Sequence, residues 1–285
     1  QLDAADGLKS NVFIAEVGPK TDPVDLDVTI EVDPAMGNAF QEAAAHITFV
    51  FSVEDNEVPP PPLEREKHDA YIVGYPNGNV EPNGNITRAE VATIFFRLLT
   101  EEVRTANSTQ SNSLSDVTRG QWFNHAVSTL SSMGIVKGHN DGTFAPNAPI
   151  TRAEFAAIAA RFDDKNTDTS SKFTDIASHW AKNEIGIAAN KGWINGYPDG
   201  TFRPNQYITR AEAMTLVNRV LNRLPENSSD LLDSMIKWPD NSDASAWYYL
   251  AVQEATNSHD FKHKAGNYET WTSMSKDPDW TRYEN

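Results

Sequence analysis

Cysteine is absent from the 285 residues, so disulfides, thiol nucleophiles and thiolate metal sites are all excluded. Long apolar runs are also missing. Nothing approaches the roughly 18 consecutive apolar residues of a spanning helix, so no membrane insertion is predicted. The chain opens at Gln1 without a basic start and an apolar block, which predicts a mature or cut product carrying no signal peptide. Positive charge is scarce: 24 Lys and Arg stand against 40 Asp and Glu, a formal net charge of −16. That balance argues against nucleic acid or an anionic membrane as a broad partner, although a few converging arginines suffice for a small anionic ligand. No Gly-x-Ser-x-Gly elbow, His-Glu-x-x-His helix or phosphate loop occurs, so neither an enzyme activity nor catalytic residues nor a cofactor is assigned.

Metal signals are equally thin. Asn140-Asp-Gly142 and Asp199-Gly200 lack the alternating carboxylates and closing glutamate of a calcium loop, and read as turns. His259 and His263, beside Asp260, read as a solvated pair on a frayed helix. No metal site is predicted.

What the chain does have is one stretch written three times: Ile-Thr-Arg-Ala-Glu at 86–90, 150–154 and 208–212, each arginine preceded by a glycine fourteen residues earlier, at Gly74, Gly138 and Gly196. Such regularity means one structural unit used repeatedly. Thr87, Thr151 and Thr209 each precede Glu90, Glu154 and Glu212 by three residues, which is the capping box that opens a helix. Downstream, Val91, Ile94, Phe95 and Leu98 recur as Phe155, Ile158, Ala159 and Phe162, then as Ala213, Leu216, Val217 and Val220. That spacing makes one apolar stripe per helix, and the stripes are expected to bury one another in a central three-helix cluster.

The arginine is the odd member, because a cation at the first helical position faces the positive end of the helix dipole. Two readings account for Arg88, Arg152 and Arg210: an internal salt bridge to a neighbouring carboxylate, or planar donors presented to an anionic ligand.

The second and third units begin with a further helix, announced by Trp122 and Trp180, each twelve residues before one glycine and sixteen before the next. The first unit lacks that helix, yet its pattern reappears near the other end of the chain, at 236–240 and 247–255 with Trp247. This predicts that the C-terminal segment packs on residues 70–99 and closes a ring through the two chain ends. Asp116, Asp175 and Asp240 are read as caps of the leading helices. Residues 100–113, 163–172 and 223–235 read as polar connectors, and the tail after 262, with Tyr268, Trp271 and Trp280, as lying against the body.

Ahead of the repeats, residues 28–32 and 46–53 read as strands. They suggest the end of a larger β domain or an edge hairpin, with edge-to-edge self-assembly as one possible use. Four consecutive prolines at 59–62 mark a semi-rigid linker. The partition is therefore a β-rich segment at 1–57, a linker at 58–67, a triple module at 68–262 and an extension at 263–285. Within the module, repeat 1 spans 70–99 completed by 236–258, repeat 2 spans 114–162 and repeat 3 spans 173–222.

Phe-x-Asp, Trp-Ala, Gly-Tyr-Pro-Asp-Gly-Thr-Phe-Arg-Pro-Asn and Ile-Thr-Arg-Ala-Glu, found in order in the third unit, resemble the surface-layer homology (SLH) repeat. The resemblance covers residues 70–258. It implies a mainly α, pseudo-threefold module with peripheral helices around the central cluster. It also implies non-covalent anchoring of an exported bacterial protein, at the extracellular cell surface or S-layer, to an anionic and often pyruvylated secondary cell-wall polysaccharide. By position, the family's grooves would use Arg88, Arg152 and Arg210, with Tyr75, Tyr197 and Asp199 from the glycine turns. Trp122, Trp180 and Trp247 could offer sugar faces an apolar plate or serve as core residues. The first unit has Asn77-Gly-Asn-Val80 and the second His139-Asn140 where the third has Asp-Gly-Thr-Phe and Tyr-Pro, so unequal grooves are expected. The alternative is a surface-layer or fibre-forming assembly protein whose repeats are mainly a scaffold.

Overall fold

The computed structural model describes residues 60–162 and 168–284; the strands expected at 28–32 and 46–53 lie outside the described residues. Those described are mainly helical, with α1 (Arg88–Leu98), α2 (Glu101–Asn107), α3 (Asn124–Ser132), α4 (Arg152–Ala160), α5 (Lys182–Asn190), α6 (Arg210–Leu221) and α7 (Tyr249–Thr256). A two-stranded antiparallel sheet follows, β1 (His259–His263) and β2 (Glu269–Met274). The β structure described is thus C-terminal, and residues 259–263, read from sequence as a frayed helix, are a strand. No described helix is long and apolar enough to cross a membrane.

The capping boxes open α1, α4 and α6 as the sequence requires. Thr87 Oγ1 accepts from the Glu90 amide at 3.3 Å while Glu90 Oε2 accepts from the Thr87 amide at 2.8 Å, and Thr151 with Glu154 and Thr209 with Glu212 repeat the exchange. Just ahead of these caps the backbone closes on itself. Ile86 donates to the Ile208 carbonyl at 3.2 Å, Ile208 to Ile150 at 3.1 Å, and Ile150 to Ile86 at 3.1 Å. The next orphan amides are also met across units: Arg88 donates to Ala148, Arg152 to Gln206 and Arg210 to Gly84. The apolar stripes are buried, and Phe95 stacks on Phe162 with ring centroids 5.0 Å apart.

Each leading helix packs on the capped helix of the preceding unit: α3 on α1, α5 on α4 and α7 on α6. The C-terminal segment meets residues 70–99 at their start, through Ala255 with Tyr71 and Ile72 and Asp240 with Val80 and Glu81, while α7 itself lies along α6. Tyr71 and Ile72 donate to the Ala255 carbonyl at 3.1 and 3.0 Å, just as Ile135 and Val136 donate to Leu130, and Trp193 and Ile194 to Ala188.

The three aspartates have a different role from the one expected. None of α3, α5 and α7 carries a side-chain cap. Instead Asp116 accepts from the amides of Phe144 and Ala145, both at 2.7 Å, Asp175 from Phe202 and Arg203, and Asp240 from Val80 and Glu81. The second residue of each pair, Ala145, Arg203 and Glu81, has a left-handed backbone with φ of 54°, 57° and 53°. Consecutive amides in such a turn converge, and one carboxylate satisfies both. The recurring glycine reflects a close approach at the same place. A Cβ on Gly74, Gly138 or Gly196 would stand 2.2–2.5 Å from Trp238, Leu114 or Phe173.

The connector expected at 100–113 contains α2, capped by Thr100 and carrying a buried Arg104 that donates to the Arg97 carbonyl at 2.7 Å. Residues 62–67 lie against the body rather than spacing it: Leu63 is buried and bridges Leu99, and Arg223 donates to the carbonyls of Glu64 and Lys67. Strand β1 runs across the boundary drawn after residue 262. Trp271 and Trp280 of the tail are buried, whereas Tyr268 is exposed.

Candidate functional site

At the start of each capped helix the arginine leaves its own unit. Arg88 Nη1 pairs with Glu154 at 2.8 Å, Arg152 Nη1 with Glu212 at 2.9 Å, and Arg210 Nη1 with Glu90 at 2.7 Å. Their Nε atoms donate to the carbonyls of Phe144, Phe202 and Val80. Each acceptor glutamate is the one that closes the capping box of the following helix. The carboxylate thus compensates the arginine charge that the helix start disfavours. Burial pulls the Arg88 guanidinium below its ordinary value, opposed by Glu154. The salt-bridge reading therefore holds for all three arginines.

Aromatic rings lie over these cations. Arg210 sits 4.5 Å from the Tyr75 ring and Arg152 5.0 Å from that of Tyr197. Tyr75 donates its hydroxyl to Glu90 at 2.6 Å, whereas the Tyr197 hydroxyl accepts from Gln206 at 3.1 Å. Asp199 is exposed and spends its carboxylate within its own turn, accepting from the Thr201 amide and hydroxyl and from Arg203. The Thr201 hydroxyl foremost holds this carboxyl down at about 2.

One open cleft of about 210 Å³ joins part of this set. Its walls include Arg152, Asn195, Tyr197, Glu212, Arg219 and Trp247. Arg152 comes from the second unit, the turn and α6 from the third, and Trp247 from the C-terminal segment that completes the first, so the cleft depends on ring closure. Trp122, Trp180 and Trp247 are exposed by 42%, 62% and 66%, which removes them from the core. Of these, Trp247 lines the cleft; Trp122, Trp180 and Asp199 do not.

A second periodic arginine, not singled out from sequence, decides how the units differ. Arg97, Arg161 and Arg219 each follow the capping glutamate by seven residues, a spacing of two helical turns that returns to the same face. Arg97 is occupied: it donates to the Tyr71 carbonyl, pairs with Glu284 at 3.1 Å and lies 5.5 Å from the Trp280 ring. Only about 40 Å³ of space remains beside Arg97 and Trp280, room for water but not for a sugar. Arg161 donates to the Ile135 carbonyl. Arg219 faces the cleft, where Nη1 donates at 3.3 Å to the side-chain oxygen of Asn195. Among the described residues no carboxylate pairs with Arg219. An available guanidinium, a second one behind it and an exposed indole can together grip a carboxylate on a sugar.

The sequence matches the family described as S-layer homology domain over residues 68–92, 113–156 and 172–214. It is 36% identical over 202 residues to a cellulosome-anchoring protein of Acetivibrio thermocellus, covering 69% of this chain and 44% of that protein. It is 37% identical over 207 residues to cell surface glycoprotein 1 of the same organism, covering 68% of this chain and 9% of that protein. An S-layer protein of Bacillus licheniformis is 30% identical over 186 residues, covering 64% of this chain and 19% of that protein. The chain thus spans less than half the length of each of these curated relatives. The three matched stretches fall within the three cyclically bonded units, so these residues carry three repeats of the S-layer homology family.

Proposed function

We propose that residues 68–262 act as one pseudo-threefold module that anchors an exported bacterial protein non-covalently at the cell surface, by binding an anionic secondary cell-wall polysaccharide. The cleft between the second and third units is the site. The observation that carries this reading is the pairing of Arg219, without a carboxylate partner, with the exposed Trp247 across the same cleft. A guanidinium fork matches a carboxylate such as that of a pyruvyl ketal, and an indole face covers the apolar face of a sugar ring. Arg152 lies behind them, already neutralised by Glu212, and contributes shape and its remaining N–H donors. The first-unit position is blocked by Glu284 at Arg97, which supports unequal grooves. The module binds and does not catalyse. Sedimentation of the protein with purified wall polymer, before and after acid removal of its ketals, tests the reading: co-sedimentation is lost on deketalation, and no new reducing ends appear in the supernatant.

The internal pairing of Arg88, Arg152 and Arg210 also favours a second reading, in which the repeats are a scaffold and assembly resides in residues 1–57. Concentration-dependent light scattering of the chain with and without those residues distinguishes it.

A further inference from the structure

Ring closure brings together four side chains that are far apart in sequence. His68 lies just ahead of the first repeat, Glu254 near the end of α7, His259 at the start of β1 and Glu269 at the start of β2. The backbone fixes them: the His259 amide donates to the His68 carbonyl at 3.1 Å and the Glu269 amide to that of Leu224 at 3.1 Å. All four are buried, with exposures of 4%, 0%, 2% and 1%.

Their ligating atoms form a small tetrahedron. His68 Nδ1 stands 3.2 Å from His259 Nε2, 3.5 Å from Glu254 Oε1 and 3.3 Å from Glu269 Oε1. His259 Nε2 stands 3.4 Å from Glu254 Oε1 and 3.6 Å from Glu269 Oε1. No pair of the four exceeds 4.8 Å. Five of the six edges lie at 3.2–3.6 Å; a regular tetrahedron of that size has its centre roughly 2.1 Å from each vertex, the bond length zinc keeps to imidazole nitrogen and carboxylate oxygen, and the sixth edge, between the two carboxylates, needs at most a small carboxylate rotation to match it.

Hydrogen bonding within the protein does not account for the cluster. Glu254 Oε1 and both oxygens of Glu269 are buried and make no well-formed hydrogen bond; Oε1 of each faces the two imidazole nitrogens at 3.3–3.6 Å, a costly state for a carboxylate unless a cation lies between them. Arg223 is the nearby cation, but its guanidinium is directed to the backbone carbonyls of Asp69, Glu64 and Lys67. A proton between the two imidazoles satisfies neither carboxylate.

The surroundings are arranged as for ligands. His259 Nδ1 lies 2.9 Å from the Asn257 carbonyl, which can only accept, so Nδ1 carries the proton and Nε2 turns its lone pair inward. Trp271 Nε1 donates to Glu254 Oε2 at 2.9 Å, leaving Oε1 for the centre. The His68 ring stacks on Phe261 at 3.7 Å and the His259 ring on Trp271 at 4.0 Å, which fixes both planes. His263, the partner the sequence suggested for His259, is exposed and takes no part.

We infer that His68, Glu254, His259 and Glu269 bind one zinc-type divalent ion, which clamps the entry of the module to its C-terminal hairpin. Two imidazoles and two carboxylates at this size suit tetrahedral zinc, whereas calcium takes six to eight oxygens at longer distances. Four protein ligands leave no open position, so the ion is structural. In a chain without cysteine it supplies the long-range cross-link that a disulfide would otherwise make.

The test uses the full chain, unfolded in urea with chelator, freed of metal, and refolded with or without zinc. One zinc per chain is expected by elemental analysis, with a melting temperature several degrees higher than that of the zinc-free protein. Cobalt(II) in place of zinc is expected to give the intense visible absorption of a tetrahedral ion. His259→Gln and Glu269→Gln should each abolish the cobalt band, and if either fails to fold, the wild-type zinc and cobalt titrations still decide. Equal melting temperatures with and without zinc together with no tetrahedral cobalt band, or stabilisation by calcium and not by zinc, would overturn the assignment. Glycan binding is not read in this experiment, so its outcome is independent of the anchoring proposal.

Discussion

Arg152 reaches from the start of α4 to Glu212, 2.9 Å away in the third unit, and Glu212 in the same position closes the capping box of α6 with Thr209. One carboxylate therefore starts a helix and neutralises a neighbour's cation. Because Arg88 with Glu154 and Arg210 with Glu90 repeat the relationship, the three units are tied in a cycle that no single unit can make alone.

This cycle assigns a stability cost to the arginines. Arg152→Ala strands Glu212 and opens two backbone carbonyls, and is expected to lower stability by about 3–5 kcal/mol, as for other largely buried pairs that lose one partner. The double variant Arg152→Ala/Glu212→Ala should recover part of that loss. Urea unfolding of the two single variants and the double variant measures the coupling; strictly additive losses would show that the pair is not a unit.

Closure through the chain ends makes Asp240 equivalent to Asp116 and Asp175. Asp240→Ala removes two charge-assisted bonds to the amides of Val80 and Glu81 and should cost about 1.5–3 kcal/mol, similar to the other two positions. Deleting residues 230–285 should abolish the cooperative melt followed by circular dichroism. A truncated chain that keeps its helicity and melting temperature would contradict closure.

The tail contributes through Trp280 more than through Glu284. Trp280 is buried and donates to the Ala70 carbonyl at 3.0 Å, so Trp280→Ala should cost about 3–5 kcal/mol. Glu284 is partly exposed, and Glu284→Ala should cost no more than about 1 kcal/mol. Chemical denaturation of both variants checks the ranking.

Acid sensitivity follows from a recurring turn of one design. Asp141, Asp199, Asp243 and Asp279 each accept from the hydroxyl and amide of the residue two positions on, and each carboxyl is held below its usual range chiefly by that hydroxyl. A depressed folded value means that the contribution is fully present above the unfolded value near 4 and is lost as pH falls through the folded value. For Asp199 that loss runs from the unfolded value near 4 down to the folded value of about 2. The melting temperature should therefore fall between pH 4 and 2, and the fall should be shallower in Asp199→Asn than in the parent.

Much of the fold was legible because it is local and repeated: three Thr-x-x-Glu boxes, their apolar stripes and the glycine spacing all have one-residue signatures. Ring closure was legible because the first unit lacked a piece that the far end supplied, although the sequence could not show that α7 would lie on α6. Asp116, Asp175 and Asp240 are not the helix caps expected, since an aspartate before a helix looks the same whether its carboxylate serves that helix or a turn 27–29 residues on, or, for Asp240, 160 residues back. The cleft was half legible. The first arginine was visible in the motif, but Arg219 stood inside the helix as an ordinary polar residue, and only the occupation of Arg97 by Glu284 shows why the units differ. His68, Glu254, His259 and Glu269 had no spacing to betray them, because their neighbourhood exists only after the ends meet.

Arg219, in the cleft beside Arg152, is the proposed grip on an acidic sugar. Calorimetric titration of ketal-bearing wall polysaccharide into the parent and into Arg219→Ala tests it most directly. An unchanged melting temperature is expected, with an affinity lower by about 30-fold or more, the equivalent of a lost charge-pair partner worth roughly 2–5 kcal/mol. Equal affinity in the two proteins, or parent binding that ignores removal of the ketals, would contradict it.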